Sequence, residues 1–583
     1  MVVDKTQKGI HIHSALNDGL MTRILFIECG LTRGFAGVQL LGNAAESCRD
    51  GKERARTALE HHGIFLPAQR LVMSITPGDL KKEGNHLDLA MALGMATQVA
   101  QAANVDRWHE SPFDWLFAAE LGLQGELRPV KGVISFALAA MSHGLRGIVV
   151  AAENLEELQV LADLKIASGE PSAGEISQVS GPGFQDAPCP GFQILAFKDL
   201  QGVLHWLKSG EYQTVEKQKN HFKMSAATSA NSSRDDCSRG GICEIVPNFD
   251  DMILSEEQHL VAVAAGAGMH SLLLRGCPGT GKSMFAQRLT SILPPMPSSL
   301  HIEVLKVYSQ ISERIPQELL RGRAPFRSPH HQASAPAILG TPDVPGELGL
   351  SHGGVLFLDE FPEFRRDILE SLREPLETGE IRVSRSKKKA EWLCQVLLVA
   401  ACNNCPCGWV GSTRRICRCS MARIQAYRGR LSGPILERID LHINFPEAKG
   451  DISGVVTQWQ PTSADDQNPK VSKTQMMRKV VLEARQFAAV RHKRLGVMSN
   501  SQIKGKDLGE ASGLSPETLR GVIGRVFPPN SSNRALIRSL RVARTLADLR
   551  QAEAIAEEDL RQAYRWQEDF AAYDRGDKSH LSG

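Results

Sequence analysis

The segment GCPGTGKS has the composition and spacing of a phosphate-binding loop. It follows an apolar run, HSLLLR, and precedes a segment of helical character, MFAQRLTSIL. In such a strand-loop-helix unit, backbone N–H groups hold phosphate oxygens, a lysine reaches the β- and γ-phosphates, and a hydroxyl binds Mg²⁺. The pattern therefore predicts a site for ATP and Mg²⁺, with Lys282 and Ser283 in the last two roles. The other loop residues are Gly276, Cys277, Pro278, Gly279, Thr280 and Gly281.

Two acidic residues, Asp359 and Glu360, end the apolar run GVLFL. A carboxylate at the tip of a buried strand beside a phosphate loop can complete the shell of Mg²⁺, and an adjacent acid can deprotonate the attacking water. We assign Asp359 to the metal and Glu360 to the base. The next apolar run, CQVLLVAA, leads to Asn403 and Asn404, where an amide can orient the same water; a turn made by these two asparagines is the alternative.

Four of the chain's twelve cysteines lie in the stretch CPCGWVGSTRRICRC, as two Cys-x-Cys pairs. Four thiolates can bind Zn²⁺ tetrahedrally and so fix a loop that has no core of its own. Because Cys-x-Cys is tighter than the usual ligand spacing, reduced unliganded thiols and a redox pair remain alternatives. Cys394 and Cys402, in and just after an apolar run, are predicted core residues. The predicted zinc ligands are Cys405, Cys407, Cys417 and Cys419.

Basic residues are concentrated between positions 381 and 430. This segment has eleven Lys and Arg residues against one Glu, a net charge of +10, whereas the whole chain carries +3. A solvated face is one explanation of such a cluster. We favour a polyanion-binding surface, because the basic runs flank predicted strands of a catalytic domain.

Four regions can be separated by the periodicity of the apolar residues. Residues 1–207 alternate strand-like and helix-like segments, which indicates an α/β domain, and residues 208–247 are polar and read as a linker. Residues 248–460 alternate short apolar runs with helical stretches, as a parallel, doubly wound sheet requires. Residues 461–583 are helical, with apolar residues three and four positions apart.

The composition is that of a multidomain globular protein of 583 residues, with 42% hydrophobic and 23% charged residues. We find no signal peptide, and the longest apolar segment, LDLAMALGMATQVA, is interrupted by polar residues. We therefore expect a cytoplasmic protein with no membrane partner. In that compartment thiols stay reduced, so a disulfide framework is not expected.

Five motifs, in this order along the chain, resemble a known family: GCPGTGKS, PFRSPHH, PGELGLSHGGVLFLDEFPEF, VAACNNCPCGW and LSGPILERIDLHI. They are similar to magnesium-chelatase-like AAA+ ATPases, and most closely to the ComM (also called YifB) proteins. The N-terminal segments PGDLKKEGNHLDLAMALG and AELGLQGELRPVKGVISFALAAMSHGLRGIVVAAEN resemble the Lon-protease-like domain of that family, which has the fold of ribosomal protein S5 domain 2. The segment SSNRALIRSLRVARTLADL resembles its C-terminal helical lid.

The resemblance implies a homo-hexameric ring that acts as a DNA helicase and drives branch migration during natural transformation. Its partners would be single-stranded and branched DNA and recombination proteins. By position in the motifs, Asn403 is the sensor 1 residue, although Asn404 stands where the family usually has proline. Arg438 in LERID corresponds to the arginine finger, which stabilises charge on a neighbouring subunit's γ-phosphate. Arg534 in SNR corresponds to sensor 2.

Both arginine assignments leave an alternative. Arg438 lies beside Glu437 and Asp440, either of which could hold it in a structural salt bridge. Arg538 and Arg541 share the helix face of the sensor 2 arginine, so the sensor could be a neighbouring residue.

Family geometry implies that the hairpin-like segment GEIRVSRSKKKAEW and the insert ILGTPDVPGELGL project into the pore of the ring. Phosphates of DNA are natural partners for such a basic hairpin, which gives salt-sensitive binding with little sequence preference. A solvated hairpin tip is the alternative. The predicted DNA-binding residues are Arg385, Lys387, Lys388 and Lys389.

The Lon resemblance also tests a rival activity, because Lon-type proteolysis needs a serine nucleophile and an activating lysine. His86 stands at the position of the serine and Phe136 at that of the lysine. We therefore expect a noncatalytic domain. The main alternative to a DNA motor is a protein-remodelling or metal-insertion ATPase of the magnesium chelatase type, whose pore would more often be aromatic than cationic.

Overall fold

The computed structural model describes residues 11–41, 45–78, 82, 84–103, 108–164, 191–212, 247–312, 314–385, 388–447, 472–529 and 531–574. The chain forms two compact units. The first comprises Met1–Cys243 and Pro297–Leu320, and the second comprises Glu244–Met296 and Arg321–Gly583. The segment that follows the phosphate-loop helix therefore packs with the N-terminal unit, although the sequence places it inside the expected ATPase region of 248–460.

The first unit is built on a seven-stranded mixed sheet of order β3-β4-β2-β1-β5-β8-β9. The strands β5 and β8 lie next to each other in parallel, and every residue in both is buried. This explains their unbroken apolar sequences, since a parallel strand covered on both faces shows no alternation. The seven strands are β1 Ile12–Asp18, β2 Met21–Thr32, β3 Gly37–Leu41, β4 Arg70–Thr76, β5 Trp115–Ala118, β8 Gly147–Ala151 and β9 Gln193–Phe197. Two short strands, β6 Glu120–Leu121 and β7 Leu127–Arg128, form a separate antiparallel pair.

Helix α2 supplies much of the core of this unit, because its first ten residues are all buried. The helices of the first unit are α1 Glu46–His61, α2 Asp88–Ala102, α3 Val133–Ser142, α4 Leu155–Asp163, α5 Leu200–Ser209, α8 Ser298–Ile311 and α9 Gln317–Leu320. Within the unit, Lys131 Nζ donates to the carbonyl of Ile311 at 3.1 Å and the Gly132 N–H donates to the carbonyl of Ser309 at 2.8 Å. These bonds attach α8 to the segment that begins α3.

The second unit contains a five-stranded, fully parallel sheet of order β11-β12-β15-β10-β16. Helices precede or follow each strand, as the doubly wound prediction requires. The carboxyl ends of β10, β12 and β15 lie side by side, and such an edge is the usual ligand site of open α/β sheets. The strands are β10 Leu272–Gly276, β11 Phe326–Arg327, β12 Val355–Leu358, β15 Leu397–Cys402 and β16 Leu441–Phe445.

A separate antiparallel hairpin, β13 (Glu380–Arg385) and β14 (Lys388–Leu393), lies between β12 and β15 in the chain. The other helices are α6 Glu256–Gly268, α7 Lys282–Ile292, α10 Ala335–Leu339, α11 Glu347–Leu350, α12 Arg366–Ser371, α13 Arg373–Thr378, α14 Met421–Arg428, α15 Gly433–Leu436, α16 Lys473–Leu495, α17 Leu508–Ala511, α18 Pro516–Val526, α19 Asn533–Leu549 and α20 Glu557–Asp574. The described part of the C-terminal region, residues 472–529 and 531–574, is therefore mainly helical, as predicted.

A buried histidine joins the C-terminal helices to the sheet. His270, just before β10, is fully buried; its Nδ1 lies 3.0 Å from Asp440 Oδ2 and its Nε2 lies 2.7 Å from Thr545 Oγ1 on α19. Buried polar groups that are all paired specify one packing arrangement. Helix α19 is thus fixed against the segments that enter β10 and β16.

Candidate active site

The phosphate loop has the backbone that its glycines make possible. Gly279 and Gly281 lie at φ 76° and 88°, in the left-handed region that glycine adopts without steric cost. A Cβ at Gly276 would lie 2.4 Å from the carbonyl oxygen of Phe445 on β16, so no other residue fits there. The loop then leads into α7 at Gly281. Backbone N–H groups at the start of this helix form the anion site that phosphates need.

The ammonium group of Lys282 lies under this loop. Its Nζ donates to the carbonyls of Gly276 and Cys277, both at 2.8 Å, and to Asn403 Oδ1 at 3.3 Å. Burial lowers the pKa of the lysine, while nearby thiols and the Asp359 carboxylate oppose that change. The side chain is thus placed beside the loop, where it can move from carbonyl oxygens to phosphate oxygens.

Ser283 and Asp359 form a pair of Mg²⁺-type ligands. The hydroxyl of Ser283 donates to Asp359 Oδ2 at 2.7 Å, and Asp359 directly follows β12. Magnesium prefers hard oxygen ligands and usually takes one or two protein groups together with phosphate and water. The serine hydroxyl and the carboxylate therefore suit Mg²⁺ bound with a nucleoside triphosphate.

Glu360 adopts a left-handed backbone conformation, φ 51°, which directs the residue after the strand away from the strand path. Its Oε2 lies 3.1 Å from Nδ1 of His331, whose ring is tilted by 32° against that of His330 with centroids 4.2 Å apart. The motif PFRSPHH contains His331, but no role for this residue was predicted from the sequence. The double histidine was the only signal of this contact, and nothing in its spacing identified the partner.

The two asparagines after β15 have different environments. Asn403 accepts a hydrogen bond from Lys282, whereas Asn404 Nδ2 donates to the carbonyl of Val410 at 3.1 Å. Only Asn403 therefore contacts the phosphate-loop lysine, and Asn404 belongs to the turn that follows it.

The two arginines of the family motifs lie together, and their side-chain partners in the described chain are outside the phosphate loop. Arg438 Nη2 pairs with Glu377 Oε2 at 2.6 Å, and its other nitrogens donate to the carbonyls of Arg373 and Pro434. Its salt-bridge partner is thus Glu377 and neither of the two acids considered from the sequence. Arg534 Nη1 donates to Glu437 Oε2 at 2.9 Å. Both guanidinium groups therefore belong to one region around the end of α15.

The two neighbouring arginines on α19, Arg538 and Arg541, donate hydrogen bonds to backbone carbonyl groups. Arg538 Nη1 donates to the carbonyl of Ile439 at 2.7 Å, and Arg541 Nε donates to that of Ile503 at 2.8 Å. Burial lowers the pKa of both guanidinium groups. In contrast, the side chain of Arg534 is 55% exposed, so it is the one of the three that a second molecule can reach.

The four predicted zinc ligands come together. All four sulfur atoms lie within 4.8 Å of one another, and three of the separations are 3.4, 3.5 and 3.7 Å. Four thiolates at about 2.3 Å from a tetrahedral Zn²⁺ have S···S edges of about 3.8 Å. These separations exceed the roughly 2.05 Å of a disulfide bond. The geometry therefore fits a tetrathiolate metal site; the members are Cys405, Cys407, Cys417 and Cys419.

One of these thiols is already favoured as thiolate. The N–H groups of Trp409 and Arg418 lower the pKa of Cys407 to about 6, whereas burial raises the pKa of Cys417 to about 12 and the pKa of Cys419 is also raised. Metal binding requires deprotonated thiols, so it would release the protons that the other thiols of the cluster hold. Burial also raises the pKa of Cys394 to about 12 and that of Cys402 to about 11, which agrees with their predicted place in the core.

The basic hairpin is formed as the sequence indicates. In the backbone register of the hairpin, Arg385 on β13 lies opposite Lys388 on β14, and Ser384 lies opposite Lys389. The side chain of Lys389 is exposed. Lys387 lies outside the described residues. The indole of Trp392 is buried and donates to the carbonyl of Thr341 at 3.0 Å, which joins the hairpin to the insert that was expected to accompany it.

In the first unit, the two positions compared with the Lon dyad lie next to each other. The rings of His86 and Phe136 are 5.2 Å apart between centroids and both are buried. Burial lowers the pKa of His86 to about 4, so it is neutral at pH 7. An imidazole against a phenyl ring offers no nucleophile of the serine-lysine type.

Among the described residues, no helix combines the length and the apolar character that crossing a membrane would require.

The chain matches three family descriptions along its length. Residues 248–452 match "Magnesium chelatase, subunit ChlI", residues 27–154 match "Subunit ChlI of Mg-chelatase", and residues 471–567 match "Magnesium chelatase, subunit ChlI C-terminal". Together with the parallel sheet and the phosphate loop, these matches define a magnesium-chelatase-like AAA+ ATPase.

Comparison with individual proteins gives the family. The competence protein ComM of Haemophilus influenzae is 31% identical over 556 residues, which cover 95% of this chain and 96% of that protein. The uncharacterized protein YifB of Salmonella typhimurium is 31% identical over 558 residues, with the same coverage of both chains. The chain belongs to the ComM (YifB) family. A shorter similarity, 25% identity over 177 residues, relates 28% of this chain to Lon protease 4 of Sorangium cellulosum.

Proposed function

We propose that the chain is an ATP-driven DNA motor, a ring-shaped helicase that moves branch points during natural transformation or recombination. The observation that carries the proposal is the combination, in one unit, of a complete phosphate loop and acid pair with a separate basic hairpin. The relative from Haemophilus influenzae is named a competence protein, which supports a role with DNA that cells take up.

In the proposed reaction, the loop binds the phosphates of ATP, and the hydroxyl of Ser283 and the carboxylate of Asp359 would hold Mg²⁺, which would neutralise phosphate charge. Glu360 leaves His331 and accepts a proton from the attacking water, which Asn403 orients. The ammonium group of Lys282 stabilises the negative charge that develops on the transferred phosphoryl group. Preorganised charges of this kind supply most of the rate enhancement of phosphoryl transfer.

The position of the arginines supports a ring. The described partners of Arg438 and Arg534 are acids and carbonyls near α15, outside their own phosphate loop, and an arginine finger acts on the γ-phosphate of a neighbouring subunit. We propose a homo-hexamer in which Arg438 is the arginine finger and Arg534 is sensor 2. The N-terminal unit would then be a Lon-like domain without protease activity, because His86 and Phe136 occupy the dyad positions.

The alternative is a protein-remodelling or metal-insertion ATPase, which the magnesium chelatase descriptions favour. The charge of the hairpin discriminates between the two. A track for nucleic acid is cationic, and each phosphate that it neutralises releases counterions, so binding depends steeply on salt.

The hairpin lysines provide the test. Replacing Lys387, Lys388 and Lys389 by alanine should leave ATP hydrolysis without DNA nearly unchanged, because none of them belongs to the nucleotide site. DNA affinity should fall, and the slope of log K against log salt should decrease by about one for every phosphate that the hairpin no longer binds. Binding titrations at several salt concentrations measure both quantities.

A matched control removes the same charge elsewhere. Lys493, Lys504 and Lys506 are exposed residues of the C-terminal region, and their replacement by alanine should leave the salt slope unchanged. If the hairpin variant and this control bind and move DNA equally well, the hairpin is a solvated tip and the motor loses its proposed track.

We also propose that the cysteine cluster binds one structural Zn²⁺ per chain. Four thiolates then replace the missing core of the segment between Asn403 and Met421. Elemental analysis of the purified protein should give one zinc per chain, and Cys417→Ser should lower that content while Cys29→Ser, in the other unit, should not. Clearly substoichiometric zinc, with Cys405 and Cys417 freely alkylated in the native protein, would refute this proposal.

A further inference from the structure

The turn between the two Cys-x-Cys pairs packs on the phosphate loop. Gly408 lies at φ 84°, and a Cβ built there would lie 2.5 Å from Cγ of Pro278. That separation is far below the approximately 3.5–4.0 Å of a favourable carbon contact. The carbonyl of Val410 faces Sγ of Cys277 at 3.9 Å. The backbone of this turn, residues 408–413, is therefore in contact with two residues of the phosphate loop.

The far end of the turn is fixed to the sheet. Ser412 Oγ donates to Glu447 Oε1 at 2.6 Å, and the N–H of Thr413 donates to Glu447 Oε2 at 2.9 Å. The hydrogen bond from Ser412 is the largest cause that lowers the pKa of this glutamate, so it stays ionised as an acceptor. Glu447 lies two residues after β16, the neighbour of β10. The turn thus bridges the end of β16 and the phosphate loop.

The segment that carries the turn has almost no core of its own. Among residues 403–420, only Cys405 and Gly408 are buried, and Ile416 is 91% exposed. Hydrophobic burial therefore contributes little to its conformation. The four cysteines lie on both sides of the turn in sequence and meet in space, so bonds from their thiolates to a metal ion would constrain the turn in addition to its hydrogen bonds with Glu447.

We infer that metal held by the cysteine cluster positions the phosphate loop, so that occupancy of the cluster controls ATP binding. This inference rests on the proposed zinc site. The N–H groups of the loop bind phosphate only when they converge on it. When the cluster loses its metal, the turn keeps only its hydrogen bonds with Glu447 and holds Cys277 and Pro278 less firmly, so the loop spends less time in the binding conformation.

Substitutions at two glycines of the turn distinguish loss of the contact with the phosphate loop from general damage to the fold. Gly408→Ala and Gly411→Ala both place a side chain in the left-handed region, at φ 84° and 79°. Only the Cβ at 408 meets the phosphate loop, because nothing lies within 4 Å of a Cβ at 411. Relative to Gly411→Ala, Gly408→Ala should weaken binding of a fluorescent ATP analogue by about tenfold. A tenfold loss is only a small part of the binding free energy of a nucleotide.

Both variants are compared for zinc content and for cooperative thermal unfolding, so that a misfolded protein is recognised. If Gly408→Ala retains zinc and a cooperative transition yet binds the analogue as tightly as Gly411→Ala, the contact does not position the loop and the inference is overturned.

Removal of the metal is the second arm and needs no substitution. Wild-type protein is treated with a chelator, zinc release is followed with a metal dye, and affinity for the ATP analogue is measured without DNA. We expect the affinity for the ATP analogue to fall by about tenfold when zinc is removed and to return when zinc is added back. A metal ion that binds only the ordered conformation of the turn raises the population of that conformation.

The outcomes separate the proposals. Protein that never contains zinc overturns the zinc site and this inference together. Zinc that can be removed with no change in ATP affinity overturns this inference alone. Neither result bears on the proposed DNA motor, because DNA is absent from both measurements.

Discussion

Glu360→Gln should lower the rate of ATP hydrolysis by about 10²–10⁴-fold while ATP remains bound, because a general base typically contributes that factor. The amide keeps the size of the side chain and cannot accept the proton of the attacking water. Lys282→Ala should instead abolish nucleotide binding, since its Nζ is the cation beside the loop. Single-turnover hydrolysis and equilibrium binding of ATP measure the two effects separately, and ATP-bound Glu360→Gln should accumulate as assembled rings.

Glu363→Gln is the matched control for the base. Glu363 lies three residues further along the chain and pairs with Arg430 at 2.6 Å, with no contact to Lys282 or Asp359 among the described hydrogen bonds. This variant should hydrolyse ATP at nearly the wild-type rate. Hydrolysis near the wild-type rate in Glu360→Gln would remove that residue from its assigned role.

Arg438→Ala should lower ATP hydrolysis by about 10³–10⁵-fold, the effect expected of an arginine finger. The sharper test is complementation between subunits. A mixture of Arg438→Ala and Lys282→Ala chains contains interfaces that join an intact phosphate loop to an intact finger, so it should hydrolyse ATP although each variant alone does not.

Arg494→Ala is a suitable control for the loss of an arginine, because Arg494 pairs with Glu510 at 2.6 Å in the C-terminal region. It should behave as wild type. If the mixture of the two defective variants remains inactive under conditions in which rings form, Arg438 does not act across an interface and its contact with Glu377 is structural.

Much of the second unit could be predicted from its sequence. The phosphate loop, the acidic end of β12 and the order of apolar runs define a parallel sheet, because strand, turn and helix signals are local. The basic hairpin was also visible, since β13 and β14 alternate around a short polar turn. The cysteines were recognised as a group because a metal site needs its ligands close together, although their spacing left three interpretations open.

Other features depend on contacts between residues far apart in the chain. Strand β11 has only two residues, too few for a periodic pattern, and α8 contains a helix signal but nothing that assigns it to the first unit. The pairing of Arg438 with Glu377 was missed in favour of acids adjacent in sequence. Distance along the chain says little about which carboxylate a long side chain reaches after folding.

The contacts of His331 and Gly408 could not be predicted from the sequence for the same reason. One contacts the proposed base and the other contacts the phosphate loop, and neither partner lies nearby in sequence. The residue types alone left Asn403 and Asn404 equivalent, and only the family motif singled out Asn403; in the structure, Asn403 is the one of the two that contacts Lys282.

ATP-dependent movement of a branch point in a synthetic four-way DNA junction is the decisive measurement for the proposed motor. We predict that the wild-type protein converts the junction into duplex products only with hydrolysable ATP and Mg²⁺, that the same DNA raises its ATPase rate, and that Glu360→Gln binds the junction without converting it. An ATPase whose rate is unaffected by single-stranded, duplex or branched DNA, and which leaves the junction intact, would contradict the proposed motor.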